Sequence, residues 1–129
     1  MVHTPLHPLT QFDVVESPLP IASFGPISLV VLQGTSLCNL NCDYCYLPDR
    51  HLKNQISLDL LDPIFEKVFT SRFLDRKFTV CWHAGEPLTL PIKFYESALA
   101  KIEQLSEQYN HKKVEVSFAL QTNVTLIYQ

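Results

Sequence analysis

Three of the chain's four cysteines, Cys38, Cys42 and Cys45, fall within eight consecutive residues and are spaced C-x3-C-x2-C. Buried free cysteines that act as small hydrophobes scatter along a chain, whereas thiolates crowded into one short loop suit a metal ion or a cluster. A structural zinc would need a fourth ligand, and His51 and His83 are the histidines near enough in sequence or strand order to provide it. Zinc ligands usually come as two pairs, however, and the chain has no second cysteine pair. Three thiolates on a four-iron cluster would instead leave one iron open to a substrate or cosubstrate. Closed sites hold structure and open ones do chemistry.

The elements around this loop fix where it would sit. Residues 27 to 33 form a nearly continuous apolar, β-branched run between Pro26 and Gly34, which predicts a strand buried on both faces in a parallel sheet, with the cysteine loop directly after it. Ligands just past the C-terminal end of a parallel strand occupy the functional rim of an α/β fold. Between residues 57 and 73, Leu61, Ile64, Phe65, Val68, Phe69 and Phe73 recur at helical steps. Ser57 could cap this helix; an Asp62 cap with Pro63 as first helical residue fits better and sets Leu58 to Leu61 apart as a turn.

Residues 77 to 83 alternate, with Phe78, Val80 and Trp82 on one face and Thr79, Cys81 and His83 on the other, up to the Gly85-Glu86-Pro87 breaker. A second amphipathic helix is expected over residues 91 to 109, with Thr89 as a possible cap, and a third strand over 114 to 121. If Val114, Val116, Phe118 and Leu120 face the helices, then Ser117, Ala119, Gln121 and Asn123 face a lumen or cleft, as Thr79, Cys81 and His83 would. The order β-α-β-α-β predicts an α/β fold with a parallel sheet. Cys81 and Trp82 are expected as core, His83 either as core or at a substrate, and Asp49, Arg50 and His51 as a solvated loop in preference to a substrate contact.

At 129 residues the chain is one domain at most, and a net charge of −3 gives no electrostatic footprint for nucleic acid. No basic residue precedes Arg50 and no apolar run has transmembrane length, so a cytoplasmic location is expected, where close cysteines are metal ligands more readily than disulfides. Residues 1 to 26 hold five of nine prolines and read as an extended arm; His3 and His7 there read as solvated.

Cys38-x3-Cys42-x-Tyr44-Cys45 after the first strand resembles the signature of the radical S-adenosylmethionine superfamily. His83-Ala84-Gly85-Glu86-Pro87 resembles its glycine-glycine-glutamate-proline motif, with Ala84 in place of the first glycine. Gln121-Thr122-Asn123 is similar to the branch that matures peptides and proteins, which includes sulfatase-maturating and cyclophane-forming enzymes with a cysteine-rich SPASM extension; residues 24 to 48 look most like the cyclophane-forming branch. Three motifs in order at three strand ends are far more specific than one.

The resemblance implies a [4Fe-4S] cluster on Cys38, Cys42 and Cys45, whose fourth iron takes the amino and carboxylate groups of S-adenosylmethionine. It places Tyr44 against the adenine, mainly through backbone, and gives the Gly85-Glu86-Pro87 turn the methionine amino group. Gln121 and Asn123 would face cofactor or substrate. In the family, a one-electron reductant drives cleavage of the cosubstrate to a 5′-deoxyadenosyl radical, which takes a hydrogen from the substrate, here expected to be a ribosomally made peptide or a protein.

The implied fold is the N-terminal part of a partial (β/α)6 barrel, with residues 27 to 129 an incomplete core domain. A full eight-stranded barrel needs about 250 residues. The chain therefore reads as an N-terminal fragment, inactive alone, whose missing C-terminal portion could be a separate chain. A zinc-stabilised binding module and a non-catalytic remnant are the alternatives.

Overall fold

The apolar run after Pro26 forms strand β1 (Ile27–Leu32), the first regular element among the residues, 25–127, that the structure, a computed structural model, describes. The arm expected over residues 1 to 26 lies, but for its last two residues, outside them. A single 3-10 turn (Leu58–Leu60) leads into α1 (Leu61–Thr70); β2 (Leu74–Trp82), a second 3-10 turn (Pro87–Thr89), α2 (Ile92–Tyr109) and β3 (Glu115–Leu120) follow. The strands make one parallel sheet in the order β1-β2-β3.

Both helices cover the same face. Leu61, Phe65 and Phe69, at four-residue steps on α1, are buried, as are Phe94, Ala98, Ile102 and Leu105 on α2. They close over Phe78, Val80 and Trp82 of β2. Edge-to-face rings join the layers, Phe69 to Phe78 at 5.8 Å and Trp82 to Phe94 at 5.5 Å between centroids, a geometry that adds about 1 kcal/mol per pair to simple burial. Lys101 of α2 bridges to Asp62 of α1 at 2.7 Å.

Several boundaries differ from expectation for identifiable reasons. Ser57 caps the 3-10 turn, accepting from the Asp59 N–H, and helical backbone runs on through Leu60 into α1, so Asp62 is not a cap and Pro63 is the third helical residue. Strand β2 begins at Leu74 because Ile27 pairs with Leu74 while Leu29 pairs with Thr79, and the bulge between them hides the alternation. Val114 falls outside β3 because the Asn110 side chain takes its N–H and its C=O, each at 2.9 Å. Thr89 does not cap α2; its hydroxyl donates to the Glu86 carbonyl.

Among the described residues, nothing covers the sheet's other face. Leu29 and Val31 are 55% and 53% exposed, so β1 is buried on one face only. On the helix side, Phe118 and Leu120 of the edge strand are 43% and 37% exposed and border, with Trp82, Tyr95, Leu99 and Ile102, an apolar groove of about 260 Å³. No helix among the described residues is long and apolar enough to cross a membrane.

Candidate functional site

The C-terminal ends of the three strands carry the three motifs, and the structure ties them together. The loop after β1 is braced first at its base. The Thr35 hydroxyl donates to the Asn54 carbonyl at 2.6 Å, the Asn54 side chain accepts from the Ser36 N–H at 2.7 Å, and the Ile56 N–H reaches the Gly34 carbonyl at 2.8 Å. Within it, the Cys38 N–H donates to the Arg50 carbonyl at 2.8 Å, and the Arg50 guanidinium reaches Asn41 Oδ1 (Nε, 2.7 Å) and the Leu47 carbonyl (3.2 Å). Arg50 thus closes the cysteine loop on itself, a role distinct from the solvated loop or substrate contact expected of it.

The second motif presses on the first. Gly85 has φ +60°, and a Cβ there would lie 2.6 Å from the Thr35 carbonyl oxygen and 2.8 Å from that of Leu37. The absence of a side chain lets the Glu86 N–H donate to the Leu37 carbonyl at 2.7 Å, one residue before Cys38. Ala84 shares the left-handed conformation at φ 73°. Glu86 is 1% exposed. Its Oε1 accepts from the Leu88 N–H (3.0 Å) and the Thr122 hydroxyl (2.6 Å), and its Oε2 from the Asn123 N–H (2.8 Å).

The third motif closes the circuit. Asn123 Nδ2 donates to Asn39 Oδ1 at 3.0 Å, inside the cysteine loop, while Asn39 Nδ2 donates to the Thr125 hydroxyl at 2.7 Å. Gln121 leaves the sheet with its N–H on the Trp82 carbonyl and its side chain exposed. Beneath this end, Tyr95 of α2 donates its phenol to the Pro87 carbonyl at 2.6 Å; burial, with the Glu86 charge nearby, pushes that phenol up to about 12.

All three motif cysteines are free thiols, half-buried, as is Cys81. Tyr44 is 90% exposed; its hydrogen bond to the Cys42 side chain raises its pKa above the ordinary 10.0. Among the described residues no three Cys, His, Asp or Glu side chains stand in joint reach of one metal ion. A four-iron cluster takes each thiolate on a different iron, so its ligands need no common centre; in kind and number, three accessible thiols on one braced loop fit it. The open sheet face beside them presents Thr79 and Ser117, hydrogen-bonded to each other at 2.9 Å, with half-buried Cys81 and His83.

The positioning residues that sequence reading passed over are Thr35, Asn39, Arg50, Asn54, Tyr95 and Thr125. Thr35 and Asn54 pair across 19 residues and Asn39 and Thr125 across 86, so no local spacing marks them; Arg50 and Tyr95 reach Asn41 and Pro87, 9 and 8 residues away, with no motif to link them. Only Thr122, inside a motif, carried a signal.

No family model matches the chain. An uncharacterised protein of Synechocystis sp. is 53% identical over 109 residues, 84% of this chain and 27% of that protein. The serine-type anaerobic sulfatase-maturating enzyme of Klebsiella pneumoniae is 34% identical over 96 residues, 70% of this chain and 22% of its own length. The cysteine-type enzyme of Clostridium novyi is 29% identical over 107 residues, covering 78% and 27%. Among solved structures, native anSMEcpe with bound AdoMet and Cp18Cys peptide superposes with a TM-score of 0.57 at 28% identity, over 78% of this chain and 26% of that one. The chain spans about a quarter of the length of these relatives. Over roughly three quarters of its length it is a homologue of the anaerobic sulfatase-maturating enzymes, which are radical S-adenosylmethionine proteins.

Proposed function

We propose that this chain forms the cluster-binding and cosubstrate-binding end of a radical S-adenosylmethionine enzyme that matures a peptide or protein. The observation that carries the reading is the junction of three motifs at one end of one parallel sheet, with Glu86 bonded to the segments on both sides of it. Cys38, Cys42 and Cys45 would hold a [4Fe-4S] cluster, which with S-adenosylmethionine bound and one electron delivered supplies a carbon radical able to abstract hydrogen. The protein's part is position and exclusion of water.

In this reading the cosubstrate's amino group meets the turn at residues 84–87 through backbone oxygens. The Glu86 carbonyl already serves Thr89 and the Pro87 carbonyl serves Leu90 and Tyr95; the carbonyls of Ala84 and Gly85, which take no donor among the described residues, would be the acceptors for an ammonium. Tyr44 and Gln121, both exposed at the rim, would contact adenine and substrate; Asn123 would act at the same rim through its tie to Asn39. Two helices on one face of a sheet ordered β1-β2-β3 is the winding of a barrel rather than of a doubly wound sheet, and supports a partial (β/α)6 barrel over residues 27 to 129. Serine-type and cysteine-type relatives match alike, and a bound peptide in a neighbouring structure favours a peptide substrate. The reductant would be a cytoplasmic one-electron donor.

Anaerobic reconstitution with iron and sulfide tests the reading. The expected result is a brown protein with about four irons per chain, lost on replacing any one of Cys38, Cys42 or Cys45 by serine but kept in Cys81→Ser. A colourless chain that holds one zinc instead would overturn it.

A further inference from the structure

We propose that Asn39 is a positioning residue that docks the cysteine loop onto the segment after β3 through Asn123 and Thr125, coupling ligand binding by the loop to the placement of Asn123. The proposal rests on the cluster-binding reading above. Asn39 stands between the first two cysteines, and both ends of its amide reach one segment: Oδ1 accepts from Asn123 Nδ2 at 3.0 Å and Nδ2 donates to the Thr125 hydroxyl at 2.7 Å. That segment is itself held. The Asn123 N–H and the Thr122 hydroxyl bind the buried Glu86 carboxylate, and Asn123 Oδ1 accepts from the Thr125 N–H at 3.1 Å and its hydroxyl at 2.8 Å. Between them Val124 has φ 61°, a conformation that a β-branched residue adopts only where its surroundings over-determine it.

An exposed loop side chain is therefore seated on a rigid receptor built by the other two motifs. Arg50 closes the same loop independently, through Asn41 and the Cys38 N–H. Asn39 therefore adds register relative to β3, and closure does not depend on it. Coupling of this kind is reciprocal: whatever orders the loop orders the strand end equally. Because Asn39 is exposed, removing it separates positioning from folding.

The test uses the 129-residue chain with Asn39→Ala, Asn123→Ala, both together, and Asn39→Asp, which keeps the acceptor for the Asn123 amide and loses only the donor to the Thr125 hydroxyl. Two rates are read: release of iron from the reconstituted protein to a chelator, and alkylation of the apo-protein's loop thiols by iodoacetamide. Asn39→Ala should keep its circular dichroism spectrum while both rates rise about fivefold, the double variant should be no faster than either single one, and Asn39→Asp should return toward wild type. Unchanged rates in Asn39→Ala, or fully additive effects in the double variant, overturn the proposal. Should wild type take up no cluster, the cluster reading fails by itself, and the alkylation rates still decide whether Asn39 seats the loop.

Discussion

Ala84 occupies a backbone conformation that its side chain opposes. At φ 73° it lies in the left-handed region, where Cβ crowds the neighbouring carbonyl at a cost of about 1–2 kcal/mol for an L-residue. Ala84→Gly removes that strain but gives the unfolded chain more freedom, worth about 0.4–1 kcal/mol in the other direction. The net expectation is a gain of about 0.5–1 kcal/mol, which raises Tm by about 2–5 °C for a domain of this size. Gly85→Ala provides the contrast. It adds the same left-handed strain at φ +60° and drives Cβ to 2.6 and 2.8 Å from two backbone oxygens that cannot swing aside. Strain and overpacking together should cost about 3 kcal/mol. Urea unfolding under reducing conditions reads both as shifts of the midpoint at constant slope, upward by about 0.3–0.6 M for Ala84→Gly. A neutral or destabilising Ala84→Gly would refute the reasoning, as would a tolerated Gly85→Ala, since either result means that the turn is not held against the cysteine loop as described.

Glu86→Ala strands two N–H donors and a hydroxyl in a site where the carboxylate was 1% exposed, and should lower stability by about 3 kcal/mol in the same urea assay, whereas Glu96→Ala on the outer face of α2 should be near neutral. Tyr95→Phe removes the bond to the Pro87 carbonyl and should cost about 1 kcal/mol. The phenol's pKa is raised in the folded state to about 12, so its contribution is complete below pH 10 and is lost as pH rises from 10 to 12; wild type should destabilise over that window more than Tyr95→Phe, by an amount reduced by solvent screening at a half-buried group. Parallel pH titrations of the two proteins that superimpose would contradict this.

The parts of the fold written in local periodicity were legible in sequence: the apolar run of β1, the alternation of β2, the i, i+4 stripe of Leu61, Phe65 and Phe69, and the parallel β-α-β-α-β order. What was not legible depends on tertiary partners. Val114 has the right alternation for β3 yet is held by the Asn110 side chain, and Leu29 and Val31 have strand-core character yet face an open side. At the site, cysteine spacing, the Gly85-Glu86 step and Gln121-Thr122-Asn123 marked the three segments that the structure brings together. The roles within them shifted: sequence pointed Glu86 at a ligand, but its carboxylate is occupied by three protein donors, and Asn123 spends its side chain on Asn39 and Thr125. Nothing in residue type distinguishes an acceptor for a cofactor from an acceptor for the scaffold.

That occupancy explains why the second motif has the residues it has, in their order. A strand end that must lie against the loop of its neighbour needs a residue without Cβ at the point of closest approach, and Gly85 stands there. The next residue has its N–H on that loop's Leu37 carbonyl, so its side chain is aimed away, toward β3. Three donors converge on it from Leu88, Thr122 and Asn123, and a carboxylate, which only accepts, can satisfy them all, whereas an amide would set an NH2 against one of them. Pro87 then opens the 3-10 turn, having no N–H of its own to satisfy, and its carbonyl receives Tyr95. Each residue from 85 to 87 thus fastens a different neighbour: the cysteine loop, the end of β3, and α2. Among the described residues, a motif built in this way commits the Glu86 and Pro87 carbonyls to the scaffold and leaves those of Ala84 and Gly85 without a hydrogen-bond donor.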